Sequence, residues 1–259
     1  MCIVIDSHIH IDQYSETELQ RILERMKADQ IERLIAVATN IESARKIQHL
    51  STTYKVIEPA YGFHPEQAFP QENELDELFS FIEAHANEMV AIGEVGLPYY
   101  GRLNGDIDER DQGRYVELLK QWITLAKRYD KPLNLHAIYE DAATVCHYLE
   151  RYSVKRAHFH WFKGDELIID RLIANEYYVS ITPDLLYKER TQQLVKRYPL
   201  EFMMVETDGP WPFVGPFQGK LTEPKMMHQT IAMIATLKRL PEQEVYETIY
   251  ETTRRLYRI

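Results

Sequence analysis

Cysteine is nearly absent: Cys2 and Cys146 are the only two in 259 residues. They supply no disulfide framework, and the expected compartment is a reducing one, the cytoplasm. The first apolar strand begins by Ile3, which leaves no room for a signal peptide. No apolar run approaches the roughly 20 residues of a membrane span, so no membrane partner is expected. Positive charge is also short, with 30 Lys and Arg against 40 Asp and Glu and a formal net charge of −10. That balance disfavours a tight non-specific duplex binder, whose affinity comes from neutralising phosphates. A phosphate substrate stays open, because bound divalent metals would reverse the local field. The patterns G-x-x-x-x-G-K-[ST], G-x-S-x-G and paired C-x-x-C are missing, and with them the chemistry each supports. No linker, composition shift or low-complexity segment divides residues 1–259, and no stable protein partner is implied.

What is present is alternation. Short apolar runs at Ile3–His8, Arg33–Ala38, Lys55–Tyr61, Val90–Glu94, Pro132–His136, Arg156–His160, Tyr177–Ile181 and Phe202–Glu206 read as strands. Amphipathic stretches lie between them. Ser15-Glu-Thr-Glu18 has the form of a capping box, and Leu19, Ile22, Leu23 and Met26 follow on one helical face. Leu75, Leu78, Phe79 and Ile82 repeat the spacing, as do Leu118, Leu119, Trp122 and Leu125. A last helix is expected from Pro241 to Tyr257. Eight β-then-α units predict a single-domain α/β fold, the (β/α)8 TIM barrel, over 1–259. An open doubly wound sheet is the rival. It fits less well, because chemistry-bearing residues end the first and the last strand and only a closed barrel brings those together.

Those residues are His8 and His10, Glu94, His136, His160 and Asp208, delivered by five separate strands. They are nitrogen and oxygen ligands suited to Zn²⁺, Mn²⁺ or Mg²⁺. His8 and His10, two apart on an extended segment, project to the same side. Glu94 has two oxygens and can bridge two divalent ions, with His136 and His160 on the second and Asp208 completing the first. Two ions in such a site would share an attacking hydroxide, and Asp208 could also take the water's proton. Glu94 and Asp208 are thus the expected catalytic carboxylates. The bland alternative makes each histidine a hydrogen-bonded interior residue.

At this point the motifs resemble those of the TatD family of metal-dependent deoxyribonucleases, among the amidohydrolase-like barrels. Asp6-Ser-His8-Ile-His10 is similar to its D-x-H-x-H opening, Gly62-Phe-His64-Pro65 to its G-x-H-P loop, and Ile92-Gly-Glu94-Val-Gly-Leu-Pro-Tyr-Tyr100 to its I-G-E-I-G-L-D-Y-Y block. His160-Trp-Phe-Lys-Gly164 resembles H-x-F-x-G, Glu206-Thr-Asp208-Gly-Pro210 resembles E-T-D-x-P, and Gly219-Lys220-Leu-Thr-Glu223-Pro224 resembles G-K-x-N-E-P. The resemblance covers nearly the whole chain. It implies two-metal hydrolysis of phosphodiesters at DNA ends, with the same six residues as ligands and Asp208 near the nucleophilic water. Three positions depart from the pattern. Pro98 stands where Asp is usual, and Ile138 where H-S-R would place an arginine whose bidentate fork is not easily replaced. Glu66 stands where a second histidine often follows H-P, and adds negative charge near the mouth.

The remaining candidates concern substrate and support. His64 could meet substrate or make a structural hydrogen bond. Trp161, Trp211, Tyr99, Tyr100, Phe162, Phe213 and Phe217 crowd the loops after strands four, six and eight, where aromatics can stack unpaired bases or pack the loops down. Lys163, Lys220 and Lys225 could approach phosphates. Asp6 and Glu206 could orient ligating imidazoles or be buried polar groups. His158 is expected one layer below His160, in a packing role, and His49, His85, His147 and His228 on helix surfaces. The leading expectation is a two-metal phosphodiesterase acting on DNA or a small phosphodiester. Its rivals are a metal-dependent ester or amide hydrolase and a metal-binding scaffold without turnover.

Overall fold

A computed structural model describes residues 2–108 and 111–259. Its eight strands are parallel, in the order β1 (Val4–Ile9), β2 (Ile31–Val37), β3 (Ile57–Tyr61), β4 (Ala91–Gly96), β5 (Leu133–His136), β6 (Ala157–Phe159), β7 (Tyr178–Ile181) and β8 (Met203–Val205). Helices α1 (Glu16–Arg25), α2 (Ile41–Thr53), α3 (Glu72–Ala84), α4 (Tyr99–Leu103), α5 (Gln112–Arg128), α6 (Tyr139–Arg151), α7 (Glu166–Ala174), α8 (Glu189–Arg197), α9 (Met227–Lys238) and α10 (Glu242–Tyr257) connect and surround them. This is the expected (β/α)8 barrel. The capping box at Ser15 and Glu18 forms in both directions, so the start of α1 was set locally. Ile22 and Met26 of that segment, Leu78 and Ile82 of α3, and Leu118, Leu119, Trp122 and Leu125 of α5 are buried against the barrel wall.

Strand limits differ from the sequence reading in one place that matters. β4 runs on past Glu94 to Gly96, with Val95 and Gly96 paired to Leu135 and His136. A Cβ on Gly96 would lie 1.9 Å from the His136 carbonyl oxygen, so only glycine lets β4 lie this close to β5. Glu94 therefore projects from within the strand rather than from its end.

The first and last strands meet without a ladder of their own. Asp208 N–H donates to His8 O at 3.0 Å and His10 N–H donates to Gly209 O at 2.8 Å. Ser7 Oγ donates to Val205 O at 2.9 Å. Asp6 completes the seam by accepting from Thr207 N–H at 3.0 Å and from Thr207 Oγ1 at 2.5 Å. Its carboxyl is fully buried, and burial pushes its pKa up to about 7 against those hydrogen bonds. β1, which carries His8, and the loop after β8, which carries Asp208, are thus locked by the same contacts that close the barrel.

The large core cluster lies between strands and helices. A smaller cluster joins Ile35, Val37, Ala60, Ala91 and Met204 of the strands to Leu256 and Tyr257 of α10. The end of the last helix thus packs against strand residues, and Tyr257 Oη reaches the β5 and β6 residues Asn134 and His158.

Asp6→Ala should leave the buried Thr207 amide without its acceptor. A stranded buried donor costs about 1–3 kcal/mol, and the denaturation midpoint should fall by a corresponding amount with an unchanged denaturant slope. An unshifted midpoint would show that the seam does not depend on Asp6.

Candidate metal centre

Glu94 sits at the middle of the barrel mouth, completely buried, and each of its oxygens faces a different set of side chains. Oε2 is 3.3 Å from His8 Nε2 and 3.4 Å from His10 Nε2. Asp208 Oδ1 closes that half, at 3.3 and 3.4 Å from the same two nitrogens. Oε1 is 2.7 Å from His160 Nε2, 3.0 Å from His136 Nδ1 and 3.3 Å from His64 Nε2. All six residues proposed from the sequence as ligands converge here. So does His64, which the sequence suggested only as a substrate contact.

Two features fit this donor set to cations. His8 Nε2 and His10 Nε2 face each other at 3.4 Å, as do His136 Nδ1 and His160 Nε2. Each pair lies beside a carboxylate oxygen, which is a set of donors that one cation can share. In addition, Glu94 Oε2 is buried with no hydrogen-bond partner among the described residues, an orphan that a native interior rarely tolerates. Among the described residues, His8, His10 and Glu94 form one group able to hold an ion, and His64, Glu94 and His136 form another.

The rings are aimed by residues beneath them. His8 Nδ1–H donates to Asn134 Oδ1 at 2.9 Å, and the Asn134 amide nitrogen donates onward to Ser7 O at 3.4 Å. Nε2 is thereby the nitrogen that faces Glu94 and Asp208 and that an ion would use. His8 and His160 stack with parallel rings 3.8 Å apart. Below them His158 lies between Tyr257 Oη at 2.7 Å and Ser180 Oγ at 2.6 Å. It is a hydrogen-bonded member of a polar layer rather than simple packing. Burial, then His8 and His160, hold its pKa well down, so it stays neutral. Glu206 accepts from Ser180 Oγ at 2.5 Å and from Trp161 N–H at 2.7 Å; it anchors the loop after β6, while its distance to His160 Nδ1 is 3.7 Å. Asp6 likewise holds the Thr207 backbone rather than an imidazole. Asn134, Ser180 and Tyr257 were passed over in the sequence. A polar residue inside the apolar run Leu133-Asn-Leu-His136 was the one signal available.

Charge is concentrated in this centre. Burial alone would lower the His10 and His136 pKa values, but the adjoining carboxylates prevail and raise both to about 9. His8 is raised further by Glu94 and Asp208 against burial. Burial opposes the ionised forms of Glu94 and Asp208, yet the imidazoles hold both well below the usual carboxylate range.

A cavity of about 940 Å³ opens above the centre, lined by His64, Glu66, Tyr100, Ile138, Trp161, Lys163 and Trp211 among others. Lys163 Nζ donates to Tyr100 Oη at 3.0 Å and lies 4.0 Å from the Trp161 ring centre. Burial lowers its pKa. Trp161 Nε1–H donates to Asp184 Oδ2 at 2.9 Å, and Trp211 is 54% exposed, with its ring 5.6 Å from that of Trp161. Trp161 and Asp208 both hold left-handed backbone, φ 37° and 50°, a strain typical of functional loops. Phe162, Phe213 and Phe217 are buried and pack the loops. Lys220 bonds Pro216 O, and Lys225 pairs with Glu223; neither lines the cavity. His49 and His147 are exposed. His228, expected on the surface, is instead half-buried: it donates to Asp29 O at 2.7 Å and its other nitrogen lies 2.6 Å from Tyr246 Oη, which ties α9 to α10.

Comparison with known proteins gives a consistent picture. The family model described as TatD related DNase matches residues 5–258. A protein of Haemophilus influenzae named as an uncharacterized metal-dependent hydrolase is 38% identical over 257 residues, covering 99% of this chain and 100% of its own. The human deoxyribonuclease TATDN3 is 30% identical over 263 residues, covering 98% and 94%. The crystal structure of YjjV, a TatD homologue of Escherichia coli, superposes with a TM-score of 0.88 at 25% identity, covering 100% and 99%.

The raised imidazoles and lowered carboxylates give a pH dependence of defined sign. In protein stripped of metal, the imidazole contribution to stability is complete below pH 6.5 and is lost as pH rises through about 9. The carboxylate contribution is present above their ordinary values, 3.8 for Asp208 and 4.5 for Glu94, and is lost in acid. Melting temperature in a chelator should therefore fall between pH 7 and 9.5. Added Mn²⁺ or Zn²⁺ should reverse that fall, because metal replaces the protons. A melting temperature flat over that interval in chelator would contradict this charge arrangement.

Proposed function

The chain belongs to the TatD-related DNase family of metal-dependent hydrolases, and from that premise we propose that it cleaves phosphodiester bonds at DNA ends or in short single strands using two divalent ions, Mg²⁺, Mn²⁺ or Zn²⁺. The observation that carries this reading is Glu94, whose two buried oxygens face two separate sets of nitrogen and oxygen donors. His8, His10 and Asp208 with Oε2 would hold one ion, and His136 and His160 with Oε1 the other. When bound, such ions acidify a water and draw charge from a phosphoryl oxygen. Asp208 lines the cavity beside His8 and His10 and would accept the proton of the attacking water. Residues 1–259 act as one catalytic unit.

The cavity also argues for an unpaired strand. Among the described residues, Lys163 is the only lysine or arginine that lines it. One cation and a net charge of −10 give too few phosphate contacts for firm duplex binding. Trp161 and the exposed Trp211 instead offer faces for unstacked bases, a contribution of roughly 1–3 kcal/mol per base. A metal-dependent ester or amide hydrolase is the second reading. Ile138 favours it, because this apolar side chain lines the cavity where the family pattern has arginine.

Turnover of a short single-stranded oligonucleotide, followed across Mg²⁺ and Mn²⁺ titrations, tests the proposal. Asp208→Asn should abolish turnover even at saturating metal, whereas His136→Ala should be partly rescued by added metal. Trp211→Ala should raise KM by an amount equivalent to roughly 1–3 kcal/mol and leave kcat nearly unchanged. Circular dichroism controls for folding. Should the unaltered protein ignore the oligonucleotide yet hydrolyse simple esters, the nuclease reading fails.

A further inference from the structure

Beside His160, two imidazoles face Glu94 Oε1, and their outer nitrogens both meet the same residue. The backbone N–H of Glu66 donates to His64 Nδ1 at 3.2 Å. The carboxylate of Glu66 accepts from His136 Nε2–H at 3.0 Å. A neutral imidazole has one N–H and one lone pair. The first contact therefore places the His64 proton on Nε2, the atom 3.3 Å from Glu94 Oε1. His136 carries a second proton while no ion is bound; once an ion displaces one, the contact with Glu66 keeps the remaining proton on Nε2 and leaves the lone pair on Nδ1, which is 3.0 Å from Glu94 Oε1.

We propose that Glu66 holds both rings in the same tautomer but with opposite ends toward the centre, so that His136 presents a metal-ligating lone pair while His64 presents an N–H to a substrate oxygen and is not a ligand. The grouping of His64, Glu94 and His136 by distance alone would make all three ligands. Hydrogen-bond direction separates them. Glu66 is well fixed for the task. Its Oε1 also accepts from Tyr100 N–H at 2.8 Å and its Oε2 from Gly101 N–H at 2.6 Å. A Cβ on Gly101 would stand 3.2 Å from that oxygen and 2.6 Å from Ile107, so a larger residue there would press on both side chains.

The role this gives His64 is electrophilic. A neutral imidazole whose far nitrogen is already hydrogen-bonded can polarise a phosphoryl or carbonyl oxygen and keep its proton. His64 lines the cavity, where such an oxygen would enter. Glu66 is then a positioning residue for two histidines at once, through its amide for one and its side chain for the other.

This inference rests on the metal-dependent reading above and deepens it. The test is long-range ¹H–¹⁵N correlation of the histidine rings in the full chain titrated with Zn²⁺, together with calorimetric binding. The expected spectrum shows His64 protonated on Nε2 and bare on Nδ1 with and without Zn²⁺, and His136 protonated on Nε2 with Nδ1 shifted by the metal. Glu66→Ala keeps its backbone amide. It should leave the His64 pattern intact while the second equivalent of Zn²⁺ binds roughly 10–100-fold more weakly. Glu66→Gln, which still offers an oxygen, should fall between. His64→Gln should retain both equivalents of Zn²⁺ and lose turnover mainly in kcat. A proton on His64 Nδ1, or loss of one Zn²⁺ from His64→Gln, would overturn the proposal by making His64 a ligand. Undiminished Zn²⁺ affinity in Glu66→Ala would overturn the part assigned to Glu66. If the unaltered protein binds no Zn²⁺, the metal-dependent reading falls as well, a result distinct from two bound ions with a different tautomer.

Discussion

A carboxylate buried this completely must be compensated, and Glu94 imposes that demand on the whole barrel mouth. An isolated ionised carboxylate in an apolar interior is too costly to keep. Five imidazoles, His8, His10, His64, His136 and His160, stand around its two oxygens. They come from β1, β5 and the segments that follow β1, β3 and β6, so the charge is satisfied only once the barrel has closed. Closure and site formation are therefore one event. The seam contacts that join β1 to the loop after β8 are also the contacts that bring Asp208 to His8.

Support for this cluster is layered. Apolar residues at one level pack against the end of α10. Above them Asn134, His158, Ser180 and Tyr257 form a polar layer in which each group has a partner. The imidazoles rest on that layer. Fully satisfied buried networks fix orientation more firmly than packing does, and the direction of each ring nitrogen is what a metal centre needs. The strained backbone at Trp161 and Asp208 is affordable because those loops are pinned by Glu206 and by the seam.

The substrate side is built differently. Among the described residues its walls carry Tyr100, Trp161, Trp211 and one lysine, and these belong to the segments that follow the strands rather than to the strands. Loops can change without disturbing the barrel, which is consistent with departures from the family pattern at Pro98, Ile138 and Glu66 while the six donors at the centre are all present. Ile138, apolar where the family pattern has arginine, lines the cavity. Glu66 replaces one polar residue with another and in doing so reaches His136.

Much of this was legible in the sequence, because strand and helix periodicity, the capping box at Ser15 and the recurrence of histidine or carboxylate at strand ends are local properties. Those signals gave eight strands, their order and the six residues that meet at the mouth. The extension of β4 was not legible, since it depends on how closely Gly96 can approach His136 across strands. Nor were the roles of Asn134, Tyr257 and Glu66, or the half-buried state of His228. A side chain's hydrogen-bond partner is chosen among groups 70 to 126 positions away, as for His136 with Glu66 and His8 with Asn134. The sequence alone determined which residues could bear the chemistry. Only the tertiary structure decided which nitrogen of each ring faces the centre, because that choice depends on contacts formed when distant strands and loops are brought within 3 Å of one another.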